Sequence, residues 1–251
     1  MAELSLKTPH GKSILGVIPA RGGSKGLARK NILQLAGKPL IAYTIEAALG
    51  ASLLARVVVS TEDDEIARVS RQYGAQVPFF RPHDLAGDES SIYSVLIHAV
   101  RWLEEHENWC ADYILLLQPT SPLRKAEDID GSIALALEKD ADGVVSLYEA
   151  RPHPYQTKRL TEDGRILQFI SLTKAIDRRQ ELPPVYAVNG AIYLVKRSVL
   201  LEQETFYTER TYAYLMPPER SLDIDSRWDF HLAELVLRGH SDGGAHSDSR
   251  P

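Results

Sequence analysis

Ile14-Leu15-Gly16-Val17-Ile18-Pro19 runs straight into Ala20-Arg21-Gly22-Gly23-Ser24-Lys25-Gly26. An unbroken apolar run reads as a strand buried on both faces. The segment after it is glycine-rich and basic. Its glycines let main-chain N–H groups approach an anion closely, while Arg21, Lys25, Arg29 and Lys30 supply positive charge. The spacing is neither the G-x-x-x-x-G-K-[ST] of a Walker A loop nor the G-x-G-x-x-G of a dinucleotide fold. It predicts a phosphate-binding turn of another kind; the alternative is a flexible glycine turn with solvated bases.

Working outward from that strand, short β-branched runs alternate with helical patterns. Strands are expected at Ile14–Pro19, Arg56–Ser60, Tyr113–Leu117, Gly143–Leu147, Ala191–Val195 and Thr211–Leu215. Helices are expected at Pro39–Leu49, Asp64–Tyr73, Ile92–Glu105, Ala126–Glu138 and Arg227–Leu237. Pro39 suits a first helical position, and Ile41, Ile45 and Ala48 keep one face apolar. This rhythm predicts parallel βαβ units in a three-layer α/β/α sandwich, a Rossmann-like α/β fold with a mostly parallel sheet. The prolines at 152, 154, 183 and 184, with Asp163-Gly164 between them, interrupt it. Residues 150–185 are therefore expected to form a hairpin excursion, either a surface lobe or a dimerisation arm. The rest of 13–238 reads as one domain, and the small polar run Gly239–Pro251 as a disordered tail.

Composition narrows the function classes. The 251 residues are 44% hydrophobic and 25% charged, as in an ordinary globular protein. No apolar run is long enough to span a bilayer, and the N-terminal segment lacks the apolar core of a secretion signal. A single cysteine, Cys110, precludes an intrachain disulfide and suits a reducing cytoplasm. The net charge of −5 argues against nucleic-acid binding. Residues 1–40 nevertheless carry seven bases and one acid. A cationic segment on an acidic body points to a small, highly charged anion.

Further polar clusters follow the other strands. Asp223 and Asp225, two residues apart on an extended backbone, are expected to share a face and to suit Mg²⁺, although Asp225 or Ser226 would also cap the next helix. Gln118-Pro119-Thr120-Ser121-Pro122-Leu123-Arg124 is a stiff turn in which Arg124 could meet an anion; it is equally well a plain connector. Arg21, Ser60-Thr61, Gln118 and the Asp223/Asp225 pair all fall just past predicted strand ends, the rim where open α/β sheets bind ligands. Asp88-Glu89-Ser90-Ser91 is read mainly as a helix cap, with a serine able to touch a base or ribose. Arg178-Arg179 could clamp a carboxylate or stand solvated. The histidines show no ligand spacing, and Cys110 has no basic neighbour to activate it.

Taken together, Val17–Gly26, Lys30-Asn31, Gly37-Lys38-Pro39, Leu117–Arg124, Asn189-Gly190-Ala191-Ile192-Tyr193 and Asp223-x-Asp225 resemble the acylneuraminate cytidylyltransferases, or CMP-sialic acid synthetases. The likeness runs from about Ile14 to Leu237, with the motifs in the family's order. It implies transfer of CMP from CTP to the anomeric hydroxyl of a nine-carbon ulosonic acid, with release of pyrophosphate, Mg²⁺ dependence and a homodimer exchanging the 150–185 arm. By the same pattern, Arg21 and Lys30 hold the triphosphate, with Asp223 and Asp225 on the metal. Ala20, Gly22, Gly23, Asn31 and Ser91 also belong to the nucleotide site, and Gln118, Arg179 and Asn189 line the sugar site.

Two positions depart from the pattern: Ala187 stands where arginine is usual, and Gln156, with Lys158 nearby, where lysine is usual. Both bear on the acyl-sugar pocket, which makes legionaminic and pseudaminic acids candidates beside N-acetylneuraminic acid. The eight-carbon Kdo as acceptor, GTP as donor, and a catalytically silent nucleotide-binding regulator are the alternatives.

Overall fold

The computed structural model describes residues 11–23, 26–170 and 182–242. After β1 (Ile14–Pro19) come a short antiparallel pair, β2 (Gln34–Leu35) and β3 (Lys38–Pro39), then α1 (Leu40–Gly50), β4 (Arg56–Ser60) and α2 (Asp64–Gln72). The chain continues through α3 (Ile92–Glu107), β5 (Tyr113–Leu116), α4 (Ala126–Glu138) and β6 (Gly143–Glu149). A separate hairpin of β7 (Lys158–Leu160) and β8 (Ile166–Gln168) precedes β9 (Tyr186–Lys196), α5 (Arg197–Gln203), β10 (Thr211–Leu215) and α6 (Arg227–Asp242). The last helix thus continues past Gly239.

The main sheet has six strands in the order β10-β6-β9-β5-β1-β4. β1 is parallel to β4 and β5, and β10 is parallel to β6. β9 runs against both of its neighbours and extends well beyond the Ala191–Val195 stretch expected from sequence. Glu149 stands opposite Tyr186, so the chain re-enters the sheet at the edge where β6 left it, which requires an antiparallel strand. As a result, the first residues of β9 lie on the same rim as the carboxyl ends of the parallel strands.

The three layers follow from the period-2 alternation of strand side chains. Ile14 and Ile18 of β1 pack with Ile41 and Ile45 of α1, Ile66 of α2 and Ile133 of α4. Leu15 and Val17 pack on the other side with Leu96 and Leu103 of α3 and Leu200 of α5. Both faces are covered, which explains why β1 reads as a continuous apolar run. Helix starts are chemically marked: Asp63 accepts the Ile66 N–H at 2.9 Å, and Ser91 accepts the Tyr93 N–H at 3.2 Å. A third, smaller cluster joins Leu27, Leu35 and Leu40 to Ile224 and Ala233. It fastens the segment after the glycine loop to the segment that leads into α6.

Candidate functional site

From β1 the chain passes to β4 on one side and later returns to β5 on the other. The carboxyl ends of β1 and β5 therefore flank a switch point, where open α/β sheets leave a crevice. A cleft of about 410 Å³ opens there, lined among others by Arg21, Lys30, Arg81, Ser90, Gln118 and Asp225. Among the described residues no group of three or more His, Cys, Asp or Glu could enclose a metal, and no helix is long and apolar enough to cross a membrane.

The glycine loop is held from several sides. Ala20 is buried, and its N–H bonds the Ser60 carbonyl at 3.0 Å. The Gly22 N–H donates to Glu62 at 2.7 Å, and a Cβ on Gly22 would stand 2.6 Å from the Asp63 carboxylate. This glycine makes room for protein rather than for a ligand. Gly23 has nothing near its missing side chain. Asn31, buried, donates its amide to the Arg21 carbonyl at 3.0 Å, fixing the backbone from which Arg21 projects. The Arg21 guanidinium reaches across the cleft to Asp88 at 2.7 Å. Arg29, expected to add charge at the phosphates, instead pairs with Asp63 and Glu65 at the start of α2.

The third apolar cluster brings the basic and acidic ends of the site together. Lys30 Nζ donates to the Ile224 carbonyl at 2.7 Å and lies 3.5 Å from the Asp225 carboxylate. Gly26 packs so closely that a Cβ would stand 2.5 Å from the Asp225 carbonyl. The two aspartates sit at different depths, where an extended backbone alone predicted a shared face. The Asp225 side chain is 81% exposed at the cleft. Asp223 is half-buried, and its Oδ1 has no hydrogen-bond partner. Burial raises the Asp223 pKa above the usual 3.8, against the hydrogen bond from Thr120, and the charge of Asp225 adds to the rise.

Asn189 and Gly190 shape the floor beside Asp223. Gly190 adopts φ +74°, where β9 shifts register against β6, and a Cβ there would come 3.2 Å from Asp223. A glycine bulge in β9 thus leaves space for the carboxylate. Asn189 is buried and occupied by protein: its Oδ1 accepts from the Ser146 hydroxyl at 2.5 Å and the Ala191 N–H at 3.1 Å, while its amide donates to Ser221 Oγ at 3.0 Å. It ties β6, β9 and the segment before Asp223 together.

Gln118 lines the cleft, but Arg124 from the same turn does not. The Arg124 guanidinium is buried and donates to the Ala191 carbonyl at 2.7 Å, the Thr44 hydroxyl at 2.7 Å and the Gln118 carbonyl at 3.3 Å. Burial pulls its pKa down to about 9, leaving it protonated at neutral pH as an internal brace. The connector reading of that turn therefore holds for Arg124. Ser91 caps α3, and its neighbour Ser90 lines the cleft. Arg178 and Arg179 lie outside the described residues. Arg81 lines the cleft and Glu62 joins it to the glycine loop, and the sequence reading includes neither. Glu62 directly follows the Ser60-Thr61 strand end, so the rim rule could have found it. Arg81 carries no local signal.

A family profile described as cytidylyltransferase matches residues 15–236. An N-acylneuraminate cytidylyltransferase of Streptococcus agalactiae serotype V is 37% identical over 216 residues, covering 85% of this chain and 51% of the relative. The chain thus spans about half the length of that relative. A CMP-N,N'-diacetyllegionaminic acid synthase of Legionella pneumophila is 38% identical over 225 residues, covering 89% of this chain and 96% of the relative. Among solved structures, a CMP:2-keto-3-deoxy-manno-octonic acid synthetase complexed with CTP superposes with a TM-score of 0.67 at 19% identity, covering 91% of this chain and 99% of the other. That likeness concerns the fold.

Proposed function

The chain belongs to the cytidylyltransferase family, and on that premise we propose that it transfers CMP from CTP to the anomeric hydroxyl of a nine-carbon ulosonic acid of the N-acetylneuraminic, legionaminic or pseudaminic type. The observation that carries this reading is the cleft at the β1/β5 switch point, where Arg21, Lys30, Gln118 and Asp225 converge.

In the reaction the hydroxyl oxygen attacks the α-phosphorus in line and gives up its proton to solvent. The bond from phosphorus to the bridging oxygen breaks, and pyrophosphate leaves with the electron pair. Such transfers need positioning and charge neutralisation more than covalent help. Arg21 exchanges Asp88 for a phosphate oxygen when the nucleotide enters. Lys30, braced on the Ile224 carbonyl, keeps its ammonium at the triphosphate with little freedom to lose on binding. Asn31 acts through the Arg21 backbone, and Asn189 through the segment that carries the aspartates.

The donor set fits Mg²⁺: Asp223 offers a buried oxygen without a partner, Asp225 an exposed one, and Mg²⁺ is bound through one or two carboxylates plus phosphates and water. Bound there, the ion would supply positive charge against the phosphates. The sugar end takes Gln118, with Arg179 as a proposed contact. The exposed Leu160, Ile166 and Leu167 of the β7–β8 hairpin, with Phe169 just after it, suit a second copy of the chain, so the working form is proposed to be a homodimer, and the free thiol of Cys110 suits a reducing cytoplasm.

The test is pyrophosphate release with Mg²⁺ and CTP against N-acetylneuraminic, legionaminic, pseudaminic and Kdo acids, with GTP in parallel. Turnover of one nonulosonic acid with CTP, lost on chelation, supports the reading. Turnover of Kdo alone reassigns the acceptor. Silence across the panel together with failure to bind CTP overturns the reading.

A further inference from the structure

Glu62 is an anomaly in a site built for an anion. It lies on the rim two residues beyond the end of β4 at Ser60, its side chain only 11% exposed, and puts a carboxylate against the glycine loop. Its two oxygens serve different partners. Oε1 accepts the Gly22 N–H at 2.7 Å, and Oε2 accepts from the Arg81 guanidinium at 2.6 Å. Gly22 belongs to the loop proposed to face the phosphates. Arg81 comes from the segment between α2 and α3. The segment leading to it runs beside β4, with Val59 bonding Gln76 and the Arg81 N–H bonding the Thr61 carbonyl at 2.8 Å.

The Arg81 side chain is 4% exposed, its Nε is buried without a partner, and it contributes to the wall of the cleft. A guanidinium whose charge is cancelled by a buried carboxylate is suited to an uncharged acceptor rather than to a phosphate. The phosphate end of the cleft already has Arg21 and Lys30.

We propose that Glu62 is a positioning residue for nucleotide binding, one carboxylate that spans the Gly22 main chain at the phosphate end and Arg81 at the end that takes an uncharged acceptor of the base. Through it, order at one end of the nucleotide supports order at the other. Glutamate is required because glutamine offers one carbonyl oxygen for two donors, and aspartate, a methylene shorter, cannot span both. The adjacent Asp63 has a separate task, capping α2 and holding Arg29.

The inference rests on the nucleotide reading above, and the experiment separates the two. CTP binding is measured by calorimetry, and steady-state KM and kcat by pyrophosphate release, for the full-length wild type, Glu62→Gln, Arg81→Lys and the double variant. Loss of a charge-assisted hydrogen bond in Glu62→Gln is expected to raise the CTP KM about tenfold or more. The kcat and the sugar KM should change little. Arg81→Lys should cost less in the Glu62→Gln background than in the wild type, because the pair acts as a unit. A folded Glu62→Gln with wild-type CTP affinity, or strictly additive single effects, would overturn the inference. A wild type that does not bind CTP overturns the nucleotide reading instead. Should Glu62→Gln not fold, Glu62→Asp, which keeps the charge, carries the same expectation on CTP KM.

Discussion

Lys30 and Ile224, 194 residues apart in the chain, meet through a 2.7 Å hydrogen bond from the lysine ammonium to the isoleucine carbonyl. That bond sets the basic N-terminal segment against the segment carrying Asp223 and Asp225. Lys30→Met keeps the aliphatic stem but removes the charge that the proposed transfer needs at the phosphates. Activity is expected to fall about a hundredfold or more, the size typical of losing one preorganised electrostatic contact. Steady-state kinetics beside a thermal melt check this, and retained activity in a folded variant would place the phosphates elsewhere.

Gly26 and Gly23 belong to one loop but predict opposite responses. A Cβ at position 26 would stand 2.5 Å from the backbone carbonyl of Asp225, whereas none at position 23 meets anything. Gly26→Ala must push two main-chain segments apart and is expected to cost about 1–3 kcal/mol, as overpacking does. Gly23→Ala should be close to neutral for stability. Urea unfolding of the two variants side by side tests the contrast, and equal stabilities would contradict the packing described.

Arg220 holds the fully buried Asp128 with two hydrogen bonds, at 3.0 and 2.7 Å, just ahead of the aspartate segment. Arg220→Ala leaves that carboxylate buried without its cation, and a loss of about 3 kcal/mol is expected. Arg220→Lys should recover part of it. Chemical denaturation provides the number, and an unaffected Arg220→Ala would mean that Asp128 finds another donor.

The cap at Ser91 predicts a modest, structural effect. Ser91→Ala should lower stability by about 1 kcal/mol while leaving the CTP KM near wild type. A large rise in KM with unchanged stability would instead assign Ser91 to the nucleotide. Ser90→Ala, at the cleft, is the companion whose KM is expected to move.

Acid sensitivity is expected at Asp63. Burial pushes its pKa up, but the hydrogen bonds from Arg29 and the Ile66 N–H outweigh burial and hold it below 3.8. A carboxylate depressed by folding stabilises the native state above its unfolded pKa, and that contribution disappears as pH falls through the folded value. Below pH 3.8 the wild type should therefore lose stability more steeply than Asp63→Asn. Unfolding free energies across that range decide the matter, and parallel curves would show that the Arg29 pair does not matter in solution.

How much of this was legible beforehand depends on how local each feature is. β4, β10 and α4 end where apolar alternation and turn residues say they should, since such patterns act over a few residues. The rim was legible for the same reason: Arg21 and Gln118 closely follow the ends of β1 and β5, and the aspartates lie in the segment after β10. The direction of β9 was not, because nothing within a strand records which edge of the sheet the chain returns to.

Residue type and spacing alone determined that this protein has a mostly parallel α/β sheet with a basic glycine loop and two acidic side chains at its carboxyl rim. Only the tertiary structure decided which polar groups stand at the cleft. Arg29, Arg124 and Asn189 are spent on Asp63, Ala191 and Ser146, whereas Arg21 and Lys30 stay at the cleft. Glu62 and Arg81 enter the site through partners 40 and 19 residues from Glu62 in sequence. The physical reason is that buried polar groups must find donors and acceptors wherever the packed chain places them. Their availability is therefore settled by long-range contacts that a local pattern does not contain.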